Sequence, residues 1–149
     1  MADATHSDYS EQTLVCIQNC QDCHRACLQT QVYCMEQGGE HAAPEHLRLL
    51  TDCAEICQTS ANFMLRASDL HVHTCGACAA VCRRCAEDCE RMGDDLRMKA
   101  LADTCRHCAE SCAAMAAGHG AMRGAAAGAA GAGRAPRRAG AVMTRRKTR

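Results

Sequence analysis

The chain has 149 residues, with 15 cysteines, two tyrosines, one phenylalanine and no tryptophan. Leu, Ile, Val and Phe together make up about 11%, too little for an ordinary apolar core, and the aromatic count excludes a large aromatic-lined substrate pocket. The net charge of zero hides an acidic body, residues 1–115 with 17 acidic and nine basic side chains, and a basic tail, residues 116–149 with eight basic and no acidic ones; no run approaches the ~18–20 apolar residues of a membrane span.

Residues 1–9 show no basic n-region, apolar h-region or twin arginine, so the expectation is a flexible N-terminus on a cytoplasmic protein. A first helix is predicted over 10–36. Ser10 caps it, with Thr13 where a full capping box would carry Glu or Gln, and Gly38-Gly39 ends it. It carries Cys16, Cys20, Cys23, Cys27 and Cys34. A second helix, 44–67, opens on Pro44, which suits a first helical position, and carries Cys53 and Cys57. A third, 70–91, starts from Ser68 or Asp69 and carries Cys75, Cys78, Cys82, Cys85 and Cys89. Gly93 followed by Asp94-Asp95 ends it and caps a fourth, 95–117, with Cys105, Cys108 and Cys112. Residues 118–149 are rich in Ala, Gly and Arg and have no apolar stripe, so a disordered basic tail is expected. Such a tail can touch nucleic acid or the acidic body of its own chain; the plainer reading is a solvated extension without a specific partner.

All 15 cysteines lie between residues 16 and 112, and their steps alternate between three and four with a single seven. That alternation is the inward seam of a helix facing other helices. With short connections, neighbouring helices run antiparallel. The predicted fold is all-α: an up-down-up-down four-helix bundle over residues 10–117 with a cysteine-lined core.

Cysteine is a small hydrophobe, but Leu or Ile would bury more area at every seam position, so packing alone does not explain the choice. Neighbours at i,i+3 and i,i+4 have Cβ atoms about 5–6 Å apart, wider than the ~3.5–4.5 Å of a disulfide. Cross-helix disulfides remain open by geometry, yet cytosolic thiols are kept reduced and the cysteine count is odd. A metal ion fits better, because two bonds of about 2.3 Å span up to ~4.6 Å between sulfurs.

Soft sulfur ligands select Cu(I), zinc or iron–sulfur clusters. A continuous file does not divide naturally into the closed four-ligand sets of structural zinc, and helical spacing without Cys-Pro differs from cluster signatures. Cu(I) accepts two or three sulfurs and shares them between ions, so several Cu(I) ions per chain are expected. Apo thiols must be mostly protonated, and loading should release protons.

Met64, Met92, Met98 and Met115 continue the seam, as core filler or as thioether ligands. His71 and His119 fall at the end that carries Cys16, and His46 at the opposite end with Cys34, Met92 and Met98; these three histidines are candidate mouth ligands. His24 and His107 sit one position off the seam and are read as flanking.

The motifs Cys16-Ile-Gln-Asn-Cys-Gln-Asp-Cys-His-Arg-Ala-Cys27, Asp52-Cys-Ala-Glu-Ile-Cys57, Cys75-Gly-Ala-Cys-Ala-Ala-Val-Cys-Arg-Arg-Cys-Ala-Glu-Asp-Cys89 and Cys105-Arg-His-Cys-Ala-Glu-Ser-Cys112 resemble the cytosolic branch of the bacterial four-helix-bundle copper storage proteins. The resemblance spans residues 10–117. It implies a homotetramer, many Cu(I) ions bound mainly by cysteine pairs, cysteines that stay reduced without metal, and no enzymatic activity. The chain departs from the fuller family pattern at Thr30, His46, Met98 and Leu101, where cysteine would continue. Three rivals stand beside this reading: a zinc or general thiolate buffer, a thiol redox protein with an exposed thiol of low pKa, and an interaction module acting through the basic tail.

Overall fold

The 3/4 spacing of the seam leaves each helix one apolar face, and four such faces close around one core. In a computed structural model, which describes residues 9–118, α1 runs Glu11–Gln37, α2 Pro44–Leu65, α3 His71–Glu90 and α4 Leu96–Ala116. A 3-10 turn, Gly39–Ala42, joins the first two. Each helix packs on its neighbours in sequence and α1 closes the ring against α4, which gives the antiparallel up-down-up-down bundle. The helix bounds lie within two residues of those expected. Expectations for the tail beyond residue 118, His119 included, and for residues 1–8 lie outside the described residues. No helix among the described residues is long and apolar enough to cross a membrane.

The helix ends follow local chemistry. The Thr13 amide donates to Ser10 Oγ at 3.1 Å, capping α1. Gly38, at φ +69°, turns the chain out of α1 in a conformation that side chains disfavour. Asp95 caps α4 by accepting from the Arg97 and Met98 amides at 2.9 and 3.1 Å. Two ends differ from expectation. α2 stops at Leu65 because Ala67 takes φ +53°, so that the Ala67 and Ser68 amides donate back to the Met64 and Phe63 carbonyls. No glycine marks that turn. Neither Ser68 nor Asp69 is the cap of α3: Ser68 Oγ accepts from the Leu70 amide and its carbonyl from the His71 amide, a lead-in turn one step ahead of the helix.

All 15 cysteines are at most 1% exposed, and Ile17, Leu50, Leu101, Met64, Met98 and Met115 are buried with them. Buried alanines recur at seven-residue intervals, Ala54 and Ala61, Ala79 and Ala86, Ala102 and Ala109, and their small side chains let the helices approach while the sulfurs fill the axis. Two polar fastenings lock the register of the ends. Tyr9 Oη donates to the Leu65 carbonyl at 2.5 Å. At the other end Asp95 Oδ2 accepts from Tyr33 Oη at 2.7 Å and from His41 Nε2 at 2.9 Å, and the Tyr33 hydroxyl, with help from the Met98 amide and His41, holds the Asp95 carboxyl down at about 2.

Candidate metal centre

The four helix seams place their sulfurs in one continuous column. At the end where α1 begins, Cys75 donates to Met64 Sδ at 3.8 Å, and Cys16 lies 3.6 Å from Cys112. Cys20 follows, 3.4 Å from Cys112 and 3.7 Å from Cys108. In the middle, Cys57 has Cys82, Cys78 and Cys108 at 3.5, 3.6 and 3.8 Å. Cys53 then meets Cys82 at 3.6 Å, Cys23 at 3.8 Å and Cys105 at 4.0 Å. Cys27 and Cys85 approach Cys105, and Cys85 hands on to Cys89. Cys34 stands last, 3.4 Å from His46 Nε2 and 3.7 Å from Met98 Sδ. All 15 are free thiols.

These separations have a direct chemical meaning. Three sulfurs around one ion, with bonds of about 2.3 Å, lie about 4.0 Å apart, and two in line lie about 4.6 Å apart. From Cys16 to Cys27 and their partners on the other helices the column is therefore spaced for metal. Among the described residues, four groups of four sulfurs and the trio Cys16, Cys75 and Cys112 lie within 4.8 Å of one another. The groups overlap: Cys57 belongs both with Cys23, Cys53 and Cys82 and with Cys78, Cys82 and Cys108. No more than two of the four-sulfur groups can be chosen without a shared sulfur. Closed tetrathiolate zinc could thus fill two sites, whereas an ion that shares thiolates can use the whole column.

Burial and the sulfur network set the protonation. Burial pushes the Cys34 thiol up to about 11, helped by the Asp95 and Cys85 charges. Cys57, Cys105 and Cys112 go up because they hold their protons toward neighbouring sulfurs, Cys108 beside Cys57 and Cys112 and Cys23 beside Cys105. Cys23 goes down through the bond from Cys105, and Cys108 falls to about 7 chiefly through that from Cys112. The apo column is a chain of thiols in which some sulfurs donate and others accept, so protons must leave as metal arrives.

Beyond the cysteines, Met64, Met98 and Met115 are fully buried in the seam, and Met92 is half-buried at the Cys34 end. His71 is buried at the Cys16 end, its Nδ1 2.8 Å from the Ser68 carbonyl. His24 Nδ1 lies 2.8 Å from the Ala54 carbonyl, a contact between α1 and α2, and His107 is exposed. His46 is 3% exposed; burial holds its pKa down, and its Nδ1–H donates to Asp88 Oδ2 at 2.5 Å. Sequence reasoning missed Asp88. It precedes Cys89, one position off the seam, where charge is usual, and only the folded bundle brings it under His46. Ser60 was also missed: it occupies the seam step between Cys57 and Met64, and its buried hydroxyl has no partner among the described residues.

A model of the copper storage protein family matches residues 9–117. The chain is 35% identical over 87 residues to an uncharacterized cysteine-rich protein of Bacillus subtilis, YhjQ, a match that covers 58% of this chain and 78% of the relative. Among solved structures, the Nmul_A1745 protein of Nitrosospira multiformis is 45% identical with a TM-score of 0.68, over 72% of this chain and 96% of its own. The Cu(I)-bound copper storage protein BsCsp3 is 32% identical with a TM-score of 0.66, over 71% and 99%. The apo form of copper storage protein 3 from Bacillus subtilis gives 32% and 0.62, over 70% and 98%. With a reduced sulfur column filling its bundle and a family match that runs from one end of the bundle to the other, the chain belongs to the copper storage protein family.

Proposed function

We propose that this chain stores Cu(I) in the cytoplasm, with its 15 cysteines as the principal ligands. The observation that carries this reading is the column: every sulfur is buried and free, and sulfurs from all four helices gather into overlapping groups within 4.8 Å of one another, with contacts such as Cys20–Cys112 at 3.4 Å and Cys53–Cys105 at 4.0 Å. One Cu⁺ between two thiolates leaves a charge of −1, and sharing lowers it further, so a loaded column costs less to bury than bare thiolates would. Water is kept out by the surrounding alanines and methionines, which protects the metal from oxygen and from other proteins. Storage rather than catalysis is supported by thiols that no substrate can reach. A cytoplasmic setting fits 15 free thiols, which need a reducing compartment. Assembly into a homotetramer belongs to the same proposal; Leu14, Leu28, Val32 and Met35 lie exposed along one stripe of α1, at heptad-related spacing, and give such contacts an apolar face.

The test is anaerobic. The full chain is purified reduced, its thiols are counted, and it is titrated with Cu(I) against a strong chelator, followed by metal analysis and sedimentation. Binding of many more than two Cu(I) ions per chain is expected, with slow thiol labelling in the native apo protein. No retention of Cu(I) against the chelator, two zinc ions held in preference, or rapid labelling of one thiol would overturn the reading.

A further inference from the structure

Halfway along the bundle the sulfurs of Cys57, Cys78 and Cys82 form a closed triangle. Cys57 lies 3.5 Å from Cys82 and 3.6 Å from Cys78, and Cys78 lies 3.8 Å from Cys82. Cys78 and Cys82 stand one turn apart on α3, and Cys57 reaches them from α2. Cys23, Cys53 and Cys105 form a wider triangle, with edges of 3.7, 3.8 and 4.0 Å. A planar three-coordinate ion with bonds of about 2.3 Å asks for edges of about 4.0 Å. The wider triangle approaches that figure, and the tighter one falls short of it on every side.

Bonds of the same length that meet at about 100° form a pyramid, with the central atom outside the sulfur plane, and set the edges at about 3.5 Å. A central atom that carries a lone pair takes this shape. Trivalent arsenic is such an atom, it seeks thiols, and it occurs in water as the neutral hydroxide As(OH)3. Charge points the same way. Three thiolates around trivalent arsenic sum to zero, whereas Cu⁺ on the same three sulfurs leaves −2, and a neutral product is the cheaper one to bury. None of the three cysteines has any exposed surface, so water, which would hydrolyse the arsenic–sulfur bonds, is kept from them.

We propose that Cys57, Cys78 and Cys82 form a three-thiolate site for trivalent arsenic, taken up as arsenite, which gives the bundle a second, metalloid cargo. The step needs no oxidant or reductant. Three S–As bonds form and three As–O bonds break, each thiol proton leaves with a hydroxide as water, and arsenic stays trivalent. The site is independent of the Cu(I) reading, since it needs only reduced thiols in this triangle. Local opening of the helices admits the small uncharged hydroxide, so uptake is slower than by a thiol in free solution.

The experiment uses the full reduced chain under anaerobic conditions at neutral pH, with sodium arsenite as the probe and excess glutathione as the competitor. Arsenic is expected to stay with the protein through gel filtration, each bound atom adding the mass of arsenic less three hydrogens. X-ray absorption at the arsenic edge should show three sulfur neighbours and no oxygen. Cys82→Ala leaves two sulfurs and a hydroxide at this site, so it should lower the retained load by one arsenic and weaken that arsenic against glutathione by about 10²-fold or more. Cys82→Ser keeps the side-chain size, stands in if the alanine variant fails to fold, and should lose as much. A chain filled with Cu(I) beforehand should take up no arsenic. Loss of all arsenic to glutathione, oxygen bound to the retained arsenic, a wild-type load in both Cys82 variants, or equal arsenic uptake by the Cu(I)-filled chain overturns the site and leaves the copper reading standing. A chain that holds arsenic through three sulfurs and ignores Cu(I) overturns the copper reading and keeps the site.

Discussion

Removing the Cys57 sulfur should cost more copper than removing the Cys16 sulfur, although both are equally buried. Cys57 has three sulfurs within 3.8 Å and belongs to two of the four-sulfur groups, while Cys16 belongs only to the trio with Cys75 and Cys112. If each group holds an ion, Cys57→Ala loses about two ions and Cys16→Ala about one. Without metal the two variants should be alike. Each leaves a void of about one methyl group, worth about 1 kcal/mol, which lowers the melting temperature of a domain this size by about 4–8 °C. With metal they should separate, because stabilisation by bound ligand grows with occupancy. The assay is metal analysis after anaerobic gel filtration against a competing chelator, paired with thermal melts of the apo and loaded proteins. Equal copper loss in the two variants, or none in Cys57→Ala, would refute the idea that ions share sulfurs along the column.

Three further outcomes follow from particular groups. Ser60→Ala should stabilise the apo protein by about 1 kcal/mol, since it removes a buried hydroxyl without a partner among the described residues, and should leave copper capacity unchanged; a denaturant melt reads the first and metal analysis the second. Asp95→Ala should cost about 1–2 kcal/mol through loss of the α4 cap. The Asp95 carboxyl is held down at about 2, below its ordinary ~3.9, so its contribution is complete above pH 4 and disappears as pH falls toward 2; melts of wild type and Asp95→Asn should converge over that window. Loading at pH 7 in weak buffer should release protons, because thiols such as Cys34, at about 11, are protonated before metal arrives, and Cu(I) affinity should fall as pH is lowered; a pH-stat titration measures the release.

The period of the cysteines determined the fold class. Steps of three and four leave no arrangement but helices turned inward, and short links leave no connection but an antiparallel one. Sulfur burial and the soft-metal character of the core follow from that local periodicity, which needs no knowledge of distant partners. Helix ends were legible where a residue type announces them, at Ser10, Gly38, Pro44 and Gly93, and illegible at Ala67, where alanine takes a backbone conformation normally left to glycine. The cross-helix pairings depended on tertiary structure: axial stagger decides that Cys57 meets Cys78, Cys82 and Cys108, and one sequence has many staggers compatible with the same seam. It also decided that Asp88 lies beneath His46, 42 residues away, and that Asp95 gathers Tyr33 and His41. Such contacts join residues off the seam on different helices, and a helical repeat carries no information about what stands opposite.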